Sequence, residues 1–229
     1  MTHSDALAAA AVKDVRAGMM VGMGTGRAAT RGIHALAQRV SAEKLDIQCV
    51  ATSRASDELG RALGLRVRSM NEVESVDYLF DGADEVDDAL RMIKGGGGAL
   101  TREKIVAHAS AQRVYLVQTA KLVAHLGVKF PLPIEVMDFG MAATRRHLRA
   151  LGLDGSLRRT AEGGLYETDN GNRIIDAPLT PATNLMALGA ALDGMPGVIG
   201  HGLFLAEADI LLIEDETGRV LQRSRANRA

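Results

Sequence analysis

VDYLFDGADEVDDALRMIKGGGGALTRE, residues 76–103, opens as a strand and closes in the first turn of a helix, with five carboxylates, a lysine and four consecutive glycines between. The run VDYLF is rich in β-branched and aromatic residues, and the turn signal Asp81-Gly82 bounds it. Beyond the glycines, residues 101–110 carry a helical pattern and residues 114–117 read as a buried strand. Strand, helix and strand in that order make a βαβ unit, whose parallel strands gather ligands at their carboxyl ends.

Toward the N-terminus the alternation continues. Residues 6–12 read as a first helix, and residues 19–23 as a strand running into Gly24-Thr25-Gly26, with a helix over 28–39. Residues 48–51 are a second strand, after which Thr52-Ser53 can cap a helix reaching 63, and residues 65–68 are a further short strand. The fold class is therefore α/β with a parallel sheet.

Toward the C-terminus two prolines in KFPLP, residues 129–133, bar a regular helix and mark a boundary. The order then changes. Strands are expected over 134–137, 156–159, 165–168, 173–176 and 198–203, and helices over 142–151 and 183–192. Asn170-Gly171 is read as supplying the positive φ angles of a tight hairpin before the strand at 173. This is the ferredoxin-like order β-α-β-β-α-β. Residues 208–213 form a last strand able to rejoin the first sheet, so the expected domains are 1–130 with 205–229, and 131–204.

Composition excludes several functions. A net charge of -1 and 3% aromatic content without Trp leave neither a basic field nor a stacking platform for nucleic acid. The single cysteine, Cys49, rules out an internal disulfide and fits a reducing compartment, the cytoplasm by default. No apolar run approaches the roughly 20 residues needed to span a bilayer, so a membrane association is not indicated. His3, His34, His108, His125, His147 and His201 are dispersed without ligand spacing, and no zinc site is expected. Neither Ser53 nor Cys49 lies in a G-x-S-x-G context, which disfavours a covalent hydrolase.

The remaining motifs each have two readings. GMGTG, residues 22–26, is either an anion cradle or a plain tight βα turn. It is not a P-loop, because Arg27-Ala28 follow Gly26, and the spacing does not fit a dinucleotide fingerprint, so NAD is not expected. Asp81 and Asp84, at a strand end, read as functional, whereas Asp87 and Asp88 read as a solvated face; the cluster lacks the EF-hand spacing. Lys94 and Gly95, Gly96, Gly97 and Gly98 are either a linker or a loop aiming N–H groups and a cation at one oxygen. Glu103, taken alone, is a helix-dipole partner; beside Lys94 and the glycines it becomes a candidate base. An anion site, an oxyanion loop and a base within one span suit an enzyme that removes a proton from carbon.

DGADEVD at 81–87, KGGGGALTREKI at 94–105, KFPLPIEV at 129–136, GMGTG at 22–26 and TDNGN at 168–172 closely resemble, in this order, ribose-5-phosphate isomerase of the A type. The resemblance covers nearly the whole chain. It implies a Rossmann-like α/β domain carrying an inserted ferredoxin-like α+β domain. It also implies a homodimer or homotetramer that interconverts ribose 5-phosphate and ribulose 5-phosphate in the pentose phosphate pathway without metal or cofactor. By resemblance Glu103 is the general base, Lys94 with the N–H groups of Gly95, Gly96 and Gly97 stabilises the enediolate, and Asp81 and Asp84 handle sugar hydroxyls and ring opening. Gly82 and Ala83 between them, Lys121, and the Thr25-Gly26-Arg27-Ala28 turn match substrate-binding positions. Two departures stand out: Arg27-Ala28 replaces the usual Ser-Thr, and a common N-terminal lysine has no counterpart near Ser4-Asp5. Arg27 can compensate through a bidentate phosphate contact or change the substrate. The alternatives are an isomerase of another sugar phosphate and a non-catalytic sugar-phosphate sensor.

Overall fold

The computed structural model describes residues 5–225; His3 and Ser4, and the outermost ends of the first expected domain, lie outside the described residues. In chain order the elements are α1 (Ala6–Val12), β1 (Met20–Met23), α2 (Arg27–Glu43), β2 (Gln48–Ala51), α3 (Arg54–Ala62), β3 (Val76–Gly82), β4 (Glu85–Val86) and β5 (Met92–Ile93). There follow α4 (Leu100–Ala109), β6 (Ser110–Gln118), β7 (Leu132–Val136), α5 (Met141–Ala150), β8 (Ser156–Leu157) and β9 (Arg173–Ala177). The last are α6 (Leu185–Asp193), β10 (Val198–His201), β11 (Leu203–Phe204), β12 (Ile210–Glu214) and β13 (Val220–Ser224). Among the described residues no helix is long and apolar enough to cross a membrane.

The chain divides into two compact units. The first comprises residues 1–83, 102–121 and 207–229, and the second residues 84–101 and 122–206. The sequence-based split assigned 84–101 and 122–130 to the first domain. Their packing explains the difference: Ile93 and Leu126 are buried in the second unit's core with Leu132, Ile134 and Leu203.

In the first unit the sheet runs β13-β12-β6-β3-β1-β2, parallel throughout except for the edge strand β13. The order 2-1-3-4-5 of its parallel strands is that of doubly wound folds, in which chain direction across the sheet reverses between β1 and β3. Residues buried on both faces produce the near-continuous apolar run of β3. Helix α2 buries Ala29, Gly32, Ile33 and Leu36, spaced three and four apart as one helical face requires. Tyr78, wholly buried in β3, donates its hydroxyl proton to the carbonyl of Ala11 at 2.6 Å, since a buried phenol needs a partner.

The second unit holds a four-stranded sheet, β10-β7-β9-β8, antiparallel at each pairing. Numbered within the unit this is 4-1-3-2, the ferredoxin-like arrangement. A smaller sheet, β11-β5-β4, carries the segments before and after it.

Several expected strands changed on folding. Residues 65–68 make only a parallel bridge, Cys49 to Val67, and 165–168 only a bridge from Leu165 to Arg159. Thr168 instead turns its hydroxyl to Glu135 at 2.7 Å. The strand expected over 198–203 splits at Gly202, with β10 pairing β7 and β11 pairing β5. Asn170-Gly171 lies in a tight turn, closed by the Gly171 N–H on the Thr168 carbonyl at 2.9 Å and the Thr168 N–H on the Asn172 carbonyl at 3.0 Å, but only Gly171, at φ 80°, takes the positive angle; the Thr168 hydroxyl accepts the N–H groups of Asn170 and Asn172. β4, β5 and β13 were not anticipated; the first two are too short to show periodicity.

Candidate active site

In the first unit the carboxyl ends of β1 and β3 lie side by side, because Met23 pairs with Phe80. Asp81, the next residue on β3, has no exposed surface. Its Oδ1 accepts the N–H of Thr25 at 3.0 Å and that of Gly82 at 2.7 Å. Gly24 makes this approach possible, since a Cβ there would lie 2.1 Å from Asp81 Oδ1. The glycine turn therefore wraps a carboxylate.

Behind that turn lies a hydroxyl cluster that sequence reading missed. Thr25 Oγ1 lies 2.7 Å from Thr52 Oγ1, and the Ser56 hydroxyl donates to the Gly24 carbonyl at 2.6 Å. Ser53, expected as a cap, does cap α3 by accepting the Ser56 N–H at 3.1 Å. Gly26, at φ 93°, caps α2 without a side chain, and Arg27 is the exposed first helical residue, with Ala28 after it. The opening N–H groups of a 17-residue helix form a natural anion site.

Glu103 stands in the first turn of α4 and is 4% exposed. Asp81 Oδ2, Glu103 Oε2 and the Tyr115 hydroxyl oxygen are all sealed from solvent. Tyr115 is the register partner of Asp81 across β3 and β6. Burial, reinforced by the charges of Asp81, Glu207 and Glu103, pushes the Tyr115 phenol well above its ordinary pKa. Tyr115 thus feels three carboxyl groups of the first unit, with Asp81 beside it in the sheet. Tyr115 and Glu207 were not foreseen. A tyrosine inside the apolar run of β6 was the available signal, because such a hydroxyl needs polar company; Glu207 offered none. Lys121 ends the short 3-10 turn that follows β6 and is partly exposed.

In the second unit Asp84 Oδ2 accepts the N–H of Gly96 at 2.7 Å. A Cβ on Gly96 would lie 2.7 Å from Asp84 Oδ1, so only glycine permits the contact. Gly96 and Gly97 are exposed, while Gly95 and Lys94 are buried. Lys94 donates its backbone N–H to Gly202 at 2.9 Å and sets its ammonium 5.5 Å from the centre of the Phe204 ring, a cation–π arrangement. The glycine run is thus an ordered loop and not a linker.

The rest of the acidic cluster is structural. Glu85 is wholly buried and accepts the N–H groups of Gly127 at 2.6 Å, Phe130 at 2.8 Å and Lys129. Asp87, expected on a solvated face, is instead 2% exposed and accepts from Ala89 and from Arg91, whose guanidinium it meets at 2.6 Å. Backbone donors in a tight turn satisfy that charge. Asp88 is exposed as expected. Among the described residues no group of three or more His, Cys, Asp or Glu is placed to hold a metal ion. Burial pushes the Cys49 thiol up to about 12, leaving it an inert core residue.

These features have close counterparts in known proteins. Residues 48–218 match the family model described as ribose 5-phosphate isomerase A (phosphoriboisomerase A). The ribose-5-phosphate isomerase A of Listeria innocua is 43% identical over 89% of this chain and 90% of its own length, and that of a Synechococcus species is 42% identical over 93% of each. The solved ribose 5-phosphate isomerase A of Methanocaldococcus jannaschii is 35% identical, with a TM-score of 0.90 over 96% of this chain and 97% of that one. A D-ribose-5-phosphate isomerase solved with phospho-erythronic acid is 34% identical, with a TM-score of 0.91 over the same shares. On sequence and fold alike, the chain belongs to the ribose 5-phosphate isomerase A family.

Proposed function

We propose that the chain interconverts D-ribose 5-phosphate and D-ribulose 5-phosphate through an enediolate, with Glu103 as the base. The observation that carries this reading is a buried carboxylate, Glu103, in the same unit as the Asp81 cradle at the sheet's switch point. Glu103 takes the proton from C2 of the open-chain aldose, and the C–H electron pair forms the C1–C2 double bond while the carbonyl pair moves onto O1. Protonated Glu103 then returns the proton to C1, as O1 gains a proton and O2 loses one to become the ketone. A proton next to a carbonyl is only weakly acidic, so removal needs both the base and stabilisation of the developing oxyanion.

Lys94 with the N–H groups of Gly95 and Gly97 serves that second need in our reading; the N–H of Gly96, expected to join them, is instead taken by Asp84 at 2.7 Å. Asp81 and Asp84 bind sugar hydroxyls and exchange protons between O1 and O2. The N-terminus of α2 with Thr25, Gly26, Arg27 and Ala28, the backbone of Gly82 and Ala83, and Lys121 complete substrate binding. Phospho-erythronic acid bound to a relative supports a phosphorylated, hydroxylated ligand. No step requires a metal or cofactor. We further propose a homodimer or homotetramer working in the cytoplasm within the pentose phosphate pathway; light scattering on the purified protein tests the assembly.

The deciding experiment is conversion of ribose 5-phosphate to ribulose 5-phosphate by purified protein with chelator present, run in deuterated water. Turnover with deuterium exchanged at the transferred position is expected; no turnover and no exchange would leave only a binding protein. A second reading keeps the chemistry and changes the sugar, because the exposed Arg27 opens α2 at the expected phosphate end. A panel of aldose phosphates compared by kcat/KM separates the two.

A further inference from the structure

The glycine loop is held from behind by side chains that belong to another part of the second unit. Arg158, just after β8, donates from Nη1 to the carbonyl of Gly95 at 2.7 Å and to that of Gly96 at 3.1 Å. Two further donors are locked: Nε meets Asp176 Oδ2 at 2.9 Å and Nη2 meets Asp176 Oδ1 at 2.6 Å, a two-pronged pair with the guanidinium side chain 12% exposed. The Tyr166 ring lies 5.7 Å from the guanidinium carbon, and its hydroxyl donates to the carbonyl of Gly97 at 3.1 Å.

The peptide plane turns this grip into direction. In a trans peptide C=O and N–H point opposite ways, and the carbonyls of Gly95 and Gly96 share their planes with the N–H groups of Gly96 and Gly97. Fixing those two oxygens on Arg158 therefore aims the two N–H groups away from it: that of Gly96 meets Asp84 Oδ2 at 2.7 Å, and that of Gly97 points outward from an exposed position of the run. A cation on the carbonyl side also polarises each peptide and makes its N–H a stronger donor.

We propose that Arg158 is a positioning residue for the isomerisation, holding the glycine loop so that the amide of Gly97 faces the negative oxygen of the enediolate, with Tyr166 as its auxiliary. This rests on the assignment of the loop to that oxygen. Four glycines have the greatest backbone freedom of any run, so without an external clamp the donors would not be preorganised. Arg158 itself touches no reacting atom.

The test compares Arg158→Lys and Tyr166→Phe with the parent protein, using two ligands. Phospho-erythronic acid carries a carboxylate where the enediolate charge develops, and ribitol 5-phosphate carries a neutral hydroxyl there. Lysine retains the charge but lacks the fork that reaches Asp176 and both carbonyls at once. In Arg158→Lys, kcat should fall by about tenfold or more with KM within about threefold, and affinity for phospho-erythronic acid should fall similarly while that for ribitol 5-phosphate changes less than about twofold. Tyr166→Phe, which leaves the clamp in place, should show the same pattern more weakly. Equal losses for both ligands, or retained preference for the acid in both variants, would overturn the role of Arg158. If the parent protein itself shows no preference for the acid, the oxyanion assignment fails first and this inference with it.

Discussion

Asp81 accepts the amide proton of Thr25 at 3.0 Å, although 56 positions separate the two residues. Strand pairing makes the contact, since β1 and β3 run parallel in adjacent positions and end together. The charge on Asp81 holds the glycine turn in shape. Asp81→Asn keeps an acceptor oxygen at the same place but removes the charge, so stability should drop by about 1 kcal/mol with the fold retained. Because the turn frames substrate in the proposed reading, kcat/KM should fall by at least about tenfold. Denaturant titration and steady-state kinetics on the same preparation check both.

Glu103→Gln should abolish turnover while leaving affinity for phospho-erythronic acid within about tenfold, equivalent to roughly 1.4 kcal/mol. Glutamine fills the same buried space but cannot take a proton from carbon. Turnover near that of the parent would remove Glu103 from the chemistry.

Glu135 explains the TDNGN segment. Wholly buried in β7, its carboxylate accepts the hydroxyl of Thr168 at 2.7 Å, the amide of Asn172 at 2.9 Å, the amide of Asn170 at 3.1 Å and the hydroxyl of Thr101. Glu135→Leu would strand these donors, and we expect a loss of about 3–5 kcal/mol, read as a lower denaturant midpoint. Thr168→Val, which removes one of those donors and the acceptor of the Asn170 and Asn172 N–H groups, should cost about 2 kcal/mol.

Arg31 meets Asp5 at 2.5 Å and Glu214 at 2.7 Å. Hydrogen bonds from Arg31, opposed by partial burial, hold both carboxyls below their ordinary values of 3.8 and 4.5. Depressed folded values mean that the stabilisation is complete above those ordinary values and is lost as pH falls through the folded ones. Solvent reaches part of this cluster, so Arg31→Met should cost about 1 kcal/mol at pH 7. The difference from the parent should narrow as pH falls below the ordinary values and through the lowered folded ones, as unfolding curves at pH 7 and in acid will show.

Periodicity is the reason much of the first unit was legible. β2 and the helices α2, α3 and α4 lie within a few residues of their expected bounds, and for α2 and α3 the reason is an apolar face and a Ser53 cap that chain-local chemistry specifies. Residues 65–68 and 165–168 failed for the opposite reason: a short β-branched run becomes a strand only if a neighbour offers a ladder, and here each found a single bridge. Asp87 shows the limit for charges, since no local pattern distinguishes a solvated acid from one enclosed by its own turn.

The amino-acid order alone determined the α/β class and the ferredoxin-like succession, because these depend on spacing along the chain, and it named the candidates for proton abstraction. Only the tertiary structure decided that Asp81 closes the Thr25 turn, that Tyr115 and Glu207 share the surroundings of Asp81 and Glu103, and that Arg158 grips the glycine loop. Those relationships join residues as far as 126 positions apart, from Asp81 to Glu207 by 207 − 81. Strand order and register bring such pairs together, and neither is written in any local window of sequence.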